Sequence, residues 1–79
     1  MEKNYKMIMD YLENNKVFRT EEITDKNTII EELGYTLKES KEYSVVYSKN
    51  GLYNIVAYNY IKVANKDVTI RRTFELDLL

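Results

Sequence analysis

The clearest hydrophobic pattern in the chain is an alternation of apolar and polar residues from Tyr43 to Leu76. A period of two is typical of strands, because successive side chains point to opposite faces of a sheet. Asn50-Gly51 and residues 65–67 divide the pattern, and Asn-Gly is a strong hairpin signal because both residues accept positive φ. The pattern predicts three antiparallel strands, which are Tyr43–Ser48, Leu52–Val63 and Val68–Leu76.

The alternation also assigns residues to the two faces of this sheet. We expect the more apolar face to form the core and to pack against helices. Its members are Tyr43, Val45, Tyr47, Tyr53, Ile55, Ala57, Ile61, Val63, Val68, Ile70, Phe74 and Leu76. Asn59 and Arg72 interrupt this set, and we expect Arg72 to pair there with a carboxylate or with Asn59. The opposite face then carries Val56, Tyr58, Tyr60, Thr69, Arg71 and Thr73.

The N-terminal half shows a helical period instead. Apolar residues at i, i+3, i+4 and i+7 predict an amphipathic helix over residues 3–14; they are Tyr5, Ile8, Met9 and Leu12. Asn14-Asn15 is interpreted as its end, because Asn tolerates the left-handed conformation. A shorter helix is predicted from Asn27 to Leu33, and Gly34 is interpreted as its stop.

Residues 17–24 fit two structures. Val17 and Phe18 favour a strand, whereas Thr20 and the residues after it could cap and open a short helical turn. The predicted fold class is α+β, with two N-terminal helices, one long and one short, packed on a three- to four-stranded antiparallel β-meander. Seventy-nine residues support one small domain, 1–79.

Composition excludes several kinds of chemistry. The chain has no His, Cys or Trp, so it lacks the usual zinc ligands and the partners of Ser-His and Cys-His nucleophiles. Gly34 and Gly51 are its only glycines, too few for a phosphate-binding loop. We therefore expect no enzyme, no catalytic residue, no metal site and no cofactor. No signal peptide or apolar run near the roughly 20 residues that span a bilayer is present, which predicts a cytoplasmic protein without membrane contact.

The outer face of the predicted sheet is the first candidate binding surface. Tyr58, Tyr60 and Arg71, with Lys62 beside them, are side chains of the types enriched at protein interfaces. Tyr and Thr are also common on exposed strands simply because they fit a pleated surface. A homodimer through this face would also explain the tyrosines.

Charge provides a second candidate surface. The acidic pairs Glu21-Glu22 and Glu31-Glu32 could form an acidic helical face that imitates a nucleic-acid backbone, although a solvated face is the simpler interpretation. Residues 43–79 carry five basic and three acidic groups. A mildly basic, tyrosine-rich sheet could hold single-stranded nucleic acid, but its cations are sparse and the whole chain has a net charge of −1.

The order of elements over roughly residues 3–63 resembles that of the winged-helix family. A helix, a short extended piece near Val17, a second helix near Asn27–Leu33 and a hairpin follow one another in that layout. The resemblance implies a DNA-binding transcriptional regulator, with Lys26, Lys49 and Asn50 near the DNA. Glu31 and Glu32 depart from it, because carboxylates on a recognition helix repel phosphates.

The favoured hypothesis is a small non-enzymatic protein-binding module. Small size and a composition rich in Lys, Asn, Ile, Tyr and Glu suggest an accessory or inhibitor protein of a phage or other mobile element. Such a protein would act in the host cytoplasm by steric occlusion of a host protein, for example a defence enzyme. The alternative is the winged-helix-like DNA-binding regulator.

Overall fold

The structure, a computed structural model, describes residues 5–40, 42–47 and 52–77. These residues form one helix and five strands. In chain order the elements are β1 (Tyr5–Glu13), β2 (Lys16–Ile23), α1 (Lys26–Glu39), β3 (Glu42–Tyr47), β4 (Leu52–Val63) and β5 (Lys66–Asp77). The expected arrangement of two N-terminal helices on a three- to four-stranded meander is therefore wrong.

All five strands belong to a single antiparallel sheet with the order β2-β1-β5-β4-β3. The first and last strands, β1 and β5, pair next to each other inside the sheet. The helix α1 joins β2 to β3, which are the two edge strands. It must therefore cross one face of the sheet from edge to edge, and this connection decides which face becomes the core.

The core lies between α1 and the face of the sheet that α1 crosses, which we call the inner face. A cluster of fully or nearly fully buried side chains forms it, namely Met7, Ile29, Ile55, Phe74 and Leu76. Leu33 from the helix and four sheet residues, Tyr5, Met9, Ile23 and Tyr53, pack around the cluster. The predicted core face of β4 and β5 is confirmed for Ile55, Ala57, Val68, Ile70, Phe74 and Leu76, which are all buried. It is wrong for Ile61 and Val63 at the end of β4, which are 40 % and 52 % exposed.

The N-terminal segment is strand β1 and not the predicted helix. Its odd positions from Tyr5 to Tyr11 face the core, and its even positions from Lys6 to Leu12 face away. Both sets contain apolar residues, so the apolar positions happen to fit a helical period as well as a period of two. Antiparallel pairing with β2 on one side and β5 on the other decides the outcome, because it satisfies both backbone edges of the segment.

Two hairpin turns lie where the sequence predicted a helix end at Asn14-Asn15 and a turn at residues 65–67. Asn14 and Asn15 have φ of 52° and 64°, and Ala64 and Asn65 have φ of 50° and 66°. Two consecutive left-handed residues make the type I′ turn that suits a two-residue hairpin. Asn14-Asn15 therefore connects β1 to β2, and the predicted turn at residues 65–67 begins one residue earlier. The predicted Asn50-Gly51 turn lies outside the described residues.

The ambiguous segment at residues 17–24 is a strand as far as Ile23. The register of β2 against β1 shifts between Tyr11 and Leu12, because Tyr11 pairs with Arg19 and Leu12 pairs with Val17. Phe18 is the extra residue of this β-bulge. The centroid of its ring lies 6.3 Å from the centroid of the Tyr11 ring.

Helix α1 extends beyond its predicted end. Asp25 caps its N-terminus by accepting hydrogen bonds from the Thr28 hydroxyl at 2.6 Å and the Thr28 amide at 3.0 Å. These bonds, the hydroxyl bond above all, hold the pKa of Asp25 below its ordinary value. Gly34 lies inside the helix, and the real end is Ser40, whose amide donates to the Thr36 carbonyl. The interpretation of Gly34 as a stop is wrong.

The fold also corrects the winged-helix resemblance. That layout requires a helix at residues 3–14, where the described residues form β1. The helix of the described residues is neither long enough nor apolar enough to cross a membrane.

Candidate protein-binding face

The outer face of the sheet is the side opposite α1. Directly paired residues of neighbouring strands point to the same side, so the register assigns this face without ambiguity. It carries the even-numbered residues of β1, β3 and β4 and the odd-numbered residues of β5. Within the described part of the chain, no helix or second sheet lies over it.

One row of residues crosses the outer face through all five strands. We call it the central row, and its members in spatial order are Thr20, Asp10, Arg71, Tyr58 and Glu42. Each member is the direct cross-strand partner of the next. Such pairs are the units that stabilise a sheet surface. Side-chain hydrogen bonds join Thr20, Asp10 and Arg71 within this row.

Arg71 is held by the sheet itself. Its Nη2 and Nε atoms donate to Oδ2 of Asp10 at 2.9 and 3.2 Å. The other oxygen of Asp10, Oδ1, accepts from the Thr20 hydroxyl at 2.8 Å. The Asp10 side chain is only 14 % exposed and that of Arg71 is 34 % exposed. Arg71 is thus a pre-positioned part of the face whose charge is already balanced.

Tyr60 is the most exposed aromatic residue of the candidate set, at 65 %. Its hydroxyl donates to Oε2 of Glu42 at 2.8 Å. This hydrogen bond is the main cause of a raised pKa for the Tyr60 phenol, and the negative charge of the same carboxylate adds to it. The ring is therefore oriented by a partner and at the same time open to solvent.

Two open cavities meet at Tyr60. One, of about 260 Å³, is lined by Glu39, Glu42, Tyr58, Asn59 and Tyr60. The other, of about 460 Å³, is lined by Tyr60, Ile61, Lys62, Asp67, Val68 and Thr69. Tyr58, Tyr60 and Lys62 are thus brought together along one edge of the face, as the alternation predicted. Lys62 is the weakest member, since its Nζ atom lies 3.9 Å from Oδ1 of Asp67 with both side chains largely exposed.

The four glutamates of the predicted acidic helical face do not share one surface. Glu21 and Glu22 lie on opposite sides of β2, where they pair with Arg19 and Lys6, respectively. Glu31 is exposed on α1. Oε2 of Glu32 lies 3.9 Å from Nε of Arg72. A single acidic helix face is therefore absent among the described residues.

The outer face is nevertheless acidic. Its register positions include Asp10, Glu22, Glu42, Asp67, Glu75 and Asp77 against Lys6, Lys62 and Arg71. The described cations of the C-terminal strands also have acidic neighbours: Lys62 lies near Asp67, Lys66 near Glu13, Arg71 near Asp10 and Arg72 near Glu32. Each of these cations therefore has a carboxylate beside it, which weakens its attraction for phosphate.

Arg72 reaches the inner side of the sheet, as predicted. Its Nη1 atom donates to Oδ1 of Asn59 at 2.6 Å, and the same oxygen accepts from the Ser40 hydroxyl at 3.2 Å. This network ties the C-terminal end of α1 to β4 and β5. Its role is to position the helix, away from the candidate face.

Sequence reasoning missed Asp10, Thr20 and Glu42 as members of this face. Asp10 and Thr20 could not be placed beside Arg71 while residues 3–14 were taken as a helix. The available signal was Asn14-Asn15 between two apolar-rich segments, which indicates a hairpin. Glu42 was missed because it begins β3 one residue before the predicted strand.

Comparison of the chain with protein-family models, curated proteins and solved structures finds no match. In the part of the chain that the structure describes, no group of three or more His, Cys, Asp or Glu residues could hold a metal ion. What the outer face offers is a wide sheet surface with oriented tyrosines and a negative charge.

Proposed function

We propose that this chain is a small protein-binding module without catalytic activity of its own, and that it binds through the outer face. The observation that carries the proposal is the uncovered five-stranded face, on which Tyr58, Tyr60 and Arg71 lie close together in register. Tyrosine and arginine supply large contact area together with a polar tip. Their orientation by Asp10 and Glu42 lowers the entropy that binding would otherwise cost.

The charge of the face indicates the kind of partner. An excess of carboxylates repels phosphate backbones and attracts basic protein surfaces, both in the encounter and in the complex. We therefore propose a protein partner with a basic surface, which this module blocks by steric occlusion. The link to a phage or other mobile element, the host enzyme as target and the cytoplasmic location stay predictions from composition and size.

Capture of host proteins by matched variants tests the proposal. The immobilised full chain is compared with Tyr60→Ala, with the Tyr58→Ala/Tyr60→Ala double variant, and with Glu31→Ala as the control on the exposed side of α1. We expect a bound protein that the control retains and the tyrosine variants lose, with circular dichroism showing that all variants are folded. Equal capture by all four proteins would contradict the proposed site.

A titration of labelled DNA and RNA tests the opposing function. We expect no binding even at low salt, since the described cations near the face are paired. Binding that weakens steeply with salt would indicate phosphate contacts and would overturn the choice of a protein partner.

A further inference from the structure

The two edges of the sheet differ in how they are protected. Edge strands expose unpaired backbone groups, and natural proteins shield them with charges and bulges. Strand β2 has both, namely the bulge at Phe18 and the charged residues Lys16, Arg19, Glu21 and Glu22. In β3 the five residues from Tyr43 to Tyr47 contain no charge, and their pairing with β4 has no shift in register.

The unprotected edge is also apolar. Tyr43, Val45 and Val46 are 48 %, 52 % and 59 % exposed, respectively. By register, Tyr43 and Val45 lie on the inner side with α1. The exposed apolar surface at this edge is therefore carried by β3 itself.

We propose that β3 pairs with β3 of a second copy of this chain, antiparallel, with Val45 on the twofold axis. In that register Ser44 lies opposite Val46 of the second copy, and Tyr43 lies opposite its Tyr47. The segment Tyr-Ser-Val-Val-Tyr is nearly self-complementary when read in both directions. Isologous twofold contacts require such a self-complementary patch.

Keeping Val45 on the axis also places both helices on the same side of a ten-stranded sheet. Tyr43 and Val45 of the two copies then meet in a trough between the helices, which removes apolar surface from water. An axis at Ser44 or Val46 would also keep both helices on one side, but it would place Ser44 or Val46 of the outer face against its own copy. The exposed inner residues thus favour the register in which Val45 faces itself.

The contact is small, and this sets its strength. The six residues of β3 fall short of the roughly 20–30 residues a side of a standard interface. We therefore expect a concentration-dependent dimer with a dissociation constant on the order of micromolar or weaker.

Sedimentation equilibrium of the full chain is the first test. We expect the average mass to rise from 9.5 kDa towards twice that value as concentration increases. Val45→Lys should abolish the rise, because it places a charge on the axis, while Val17→Lys on the β2 edge should leave it unchanged. A mass of one chain at all concentrations up to about 1 mM, or a dimer unaffected by Val45→Lys, would overturn the proposal.

Cysteine cross-linking tests the register. The chain has no cysteine, and directly opposed antiparallel residues have Cα atoms about 4.5–5.5 Å apart, within reach of a disulfide. We expect Val45→Cys to form a covalent dimer under mild oxidation much faster than Val46→Cys or the control Val17→Cys. Equal rates for all three would show random collision and would refute the pairing.

The dimer goes beyond the proposed function, because it uses a sheet edge and not the outer face. Its failure would leave the capture experiment with Tyr60→Ala unaffected. Likewise, loss of partner binding in Tyr60→Ala would leave the mass of the protein unchanged.

Discussion

At the scale of single residues, the candidate face is organised by carboxylates that hold its larger side chains. Asp10 orients Arg71, and Glu42 orients Tyr60. A buried or half-buried charge is stabilised only when its hydrogen bonds are satisfied. Arg71 is therefore first a structural residue, and any partner would contact a guanidinium whose position is already determined.

The Tyr60 phenol gives a direct readout of this orientation. Glu42 accepts its proton and so stabilises the neutral form, which raises the pKa of Tyr60 above its ordinary value. NMR titration of the tyrosine ring carbons should show one resonance that titrates late, and it should disappear in Tyr60→Phe. Glu42→Gln should shift this titration to lower pH, because it removes the negative charge.

The control for this titration is Tyr35→Phe, an exposed tyrosine on α1 whose removal should leave the late resonance in place. Because the pKa of Tyr60 is raised in the folded protein, its hydrogen bond to Glu42 stabilises the fold at pH values below the ordinary tyrosine pKa. This stabilisation is lost as the pH rises through the pKa of the folded state. If no tyrosine titrated late, the hydrogen bond between Tyr60 and Glu42 would not exist in solution.

Residue-level reasoning predicted Arg72 better than Arg71. Asn59 and Arg72 were recognisable because each interrupts an apolar series, and two polar groups on a core face must satisfy each other. The partner of Arg71 was hidden, because Asp10 is 61 residues away in the chain. Only the pairing of β1 with β5 brings the two together.

At the scale of elements, helix α1 illustrates how a strong local signal can be overridden. Gly is the usual residue just past a helix end, yet here Gly34 is followed by five more helical residues. Thr36 is buried against the sheet on the same side as Ile29. Packing of this second part of the helix offsets the low helix propensity of Gly34.

Gly34→Ala tests this interpretation. A Cβ atom added at Gly34 meets nothing within 4 Å, so Ala should fit without strain. We expect the free energy of unfolding to increase by about 0.5–1 kcal/mol, because Ala loses less backbone entropy than Gly in a helix. Urea denaturation followed by circular dichroism measures the change, with Glu31→Ala as a control on the same helix. A loss of stability would indicate that Gly34 ends the helix after all.

Strand β1 shows the opposite case, in which the local pattern was misleading by itself. Residues 5–13 carry apolar side chains on both faces, and such a segment fits either period. As a helix, this segment would have formed its backbone hydrogen bonds within itself. The strand is preferred because two neighbouring strands complete its hydrogen bonds and its odd-numbered residues enter the core.

At the scale of the whole molecule, a single layer of helix on a five-stranded sheet leaves half of the sheet surface open. The molecule is elongated, since it spans 46 Å in one direction and 21 Å in the other two. A small chain of this shape buries a limited core, so its stability depends on few side chains.

Phe74→Ala tests the dependence on this core. Phe74 is fully buried in the centre of the cluster formed by α1 and the inner face. Removing a buried aromatic ring costs about 3–5 kcal/mol, which is comparable to the total stability of a small domain. We expect a largely unfolded protein by circular dichroism and by the loss of a cooperative urea transition.

The matched control for this variant is Val46→Ala, which removes an exposed apolar side chain of β3 and should change the free energy of unfolding by less than about 0.5 kcal/mol. If Phe74→Ala unfolded cooperatively with the same urea midpoint as the original protein, the position of the core would be contradicted.

The sequence by itself determined the C-terminal strands and their faces, because period-two alternation and hairpin turns are local signals. It also determined which side chains are absent, and hence which catalytic and metal sites the chain cannot build from His or Cys. Tertiary structure alone decided three further features. Residues 5–13 form a strand, helix α1 continues beyond Gly34, and Asp10 pairs with Arg71. The first and third depend on long-range pairing of β1 with β5, and the second depends on packing of α1 against the sheet. No local window of the sequence contains the energy of either interaction.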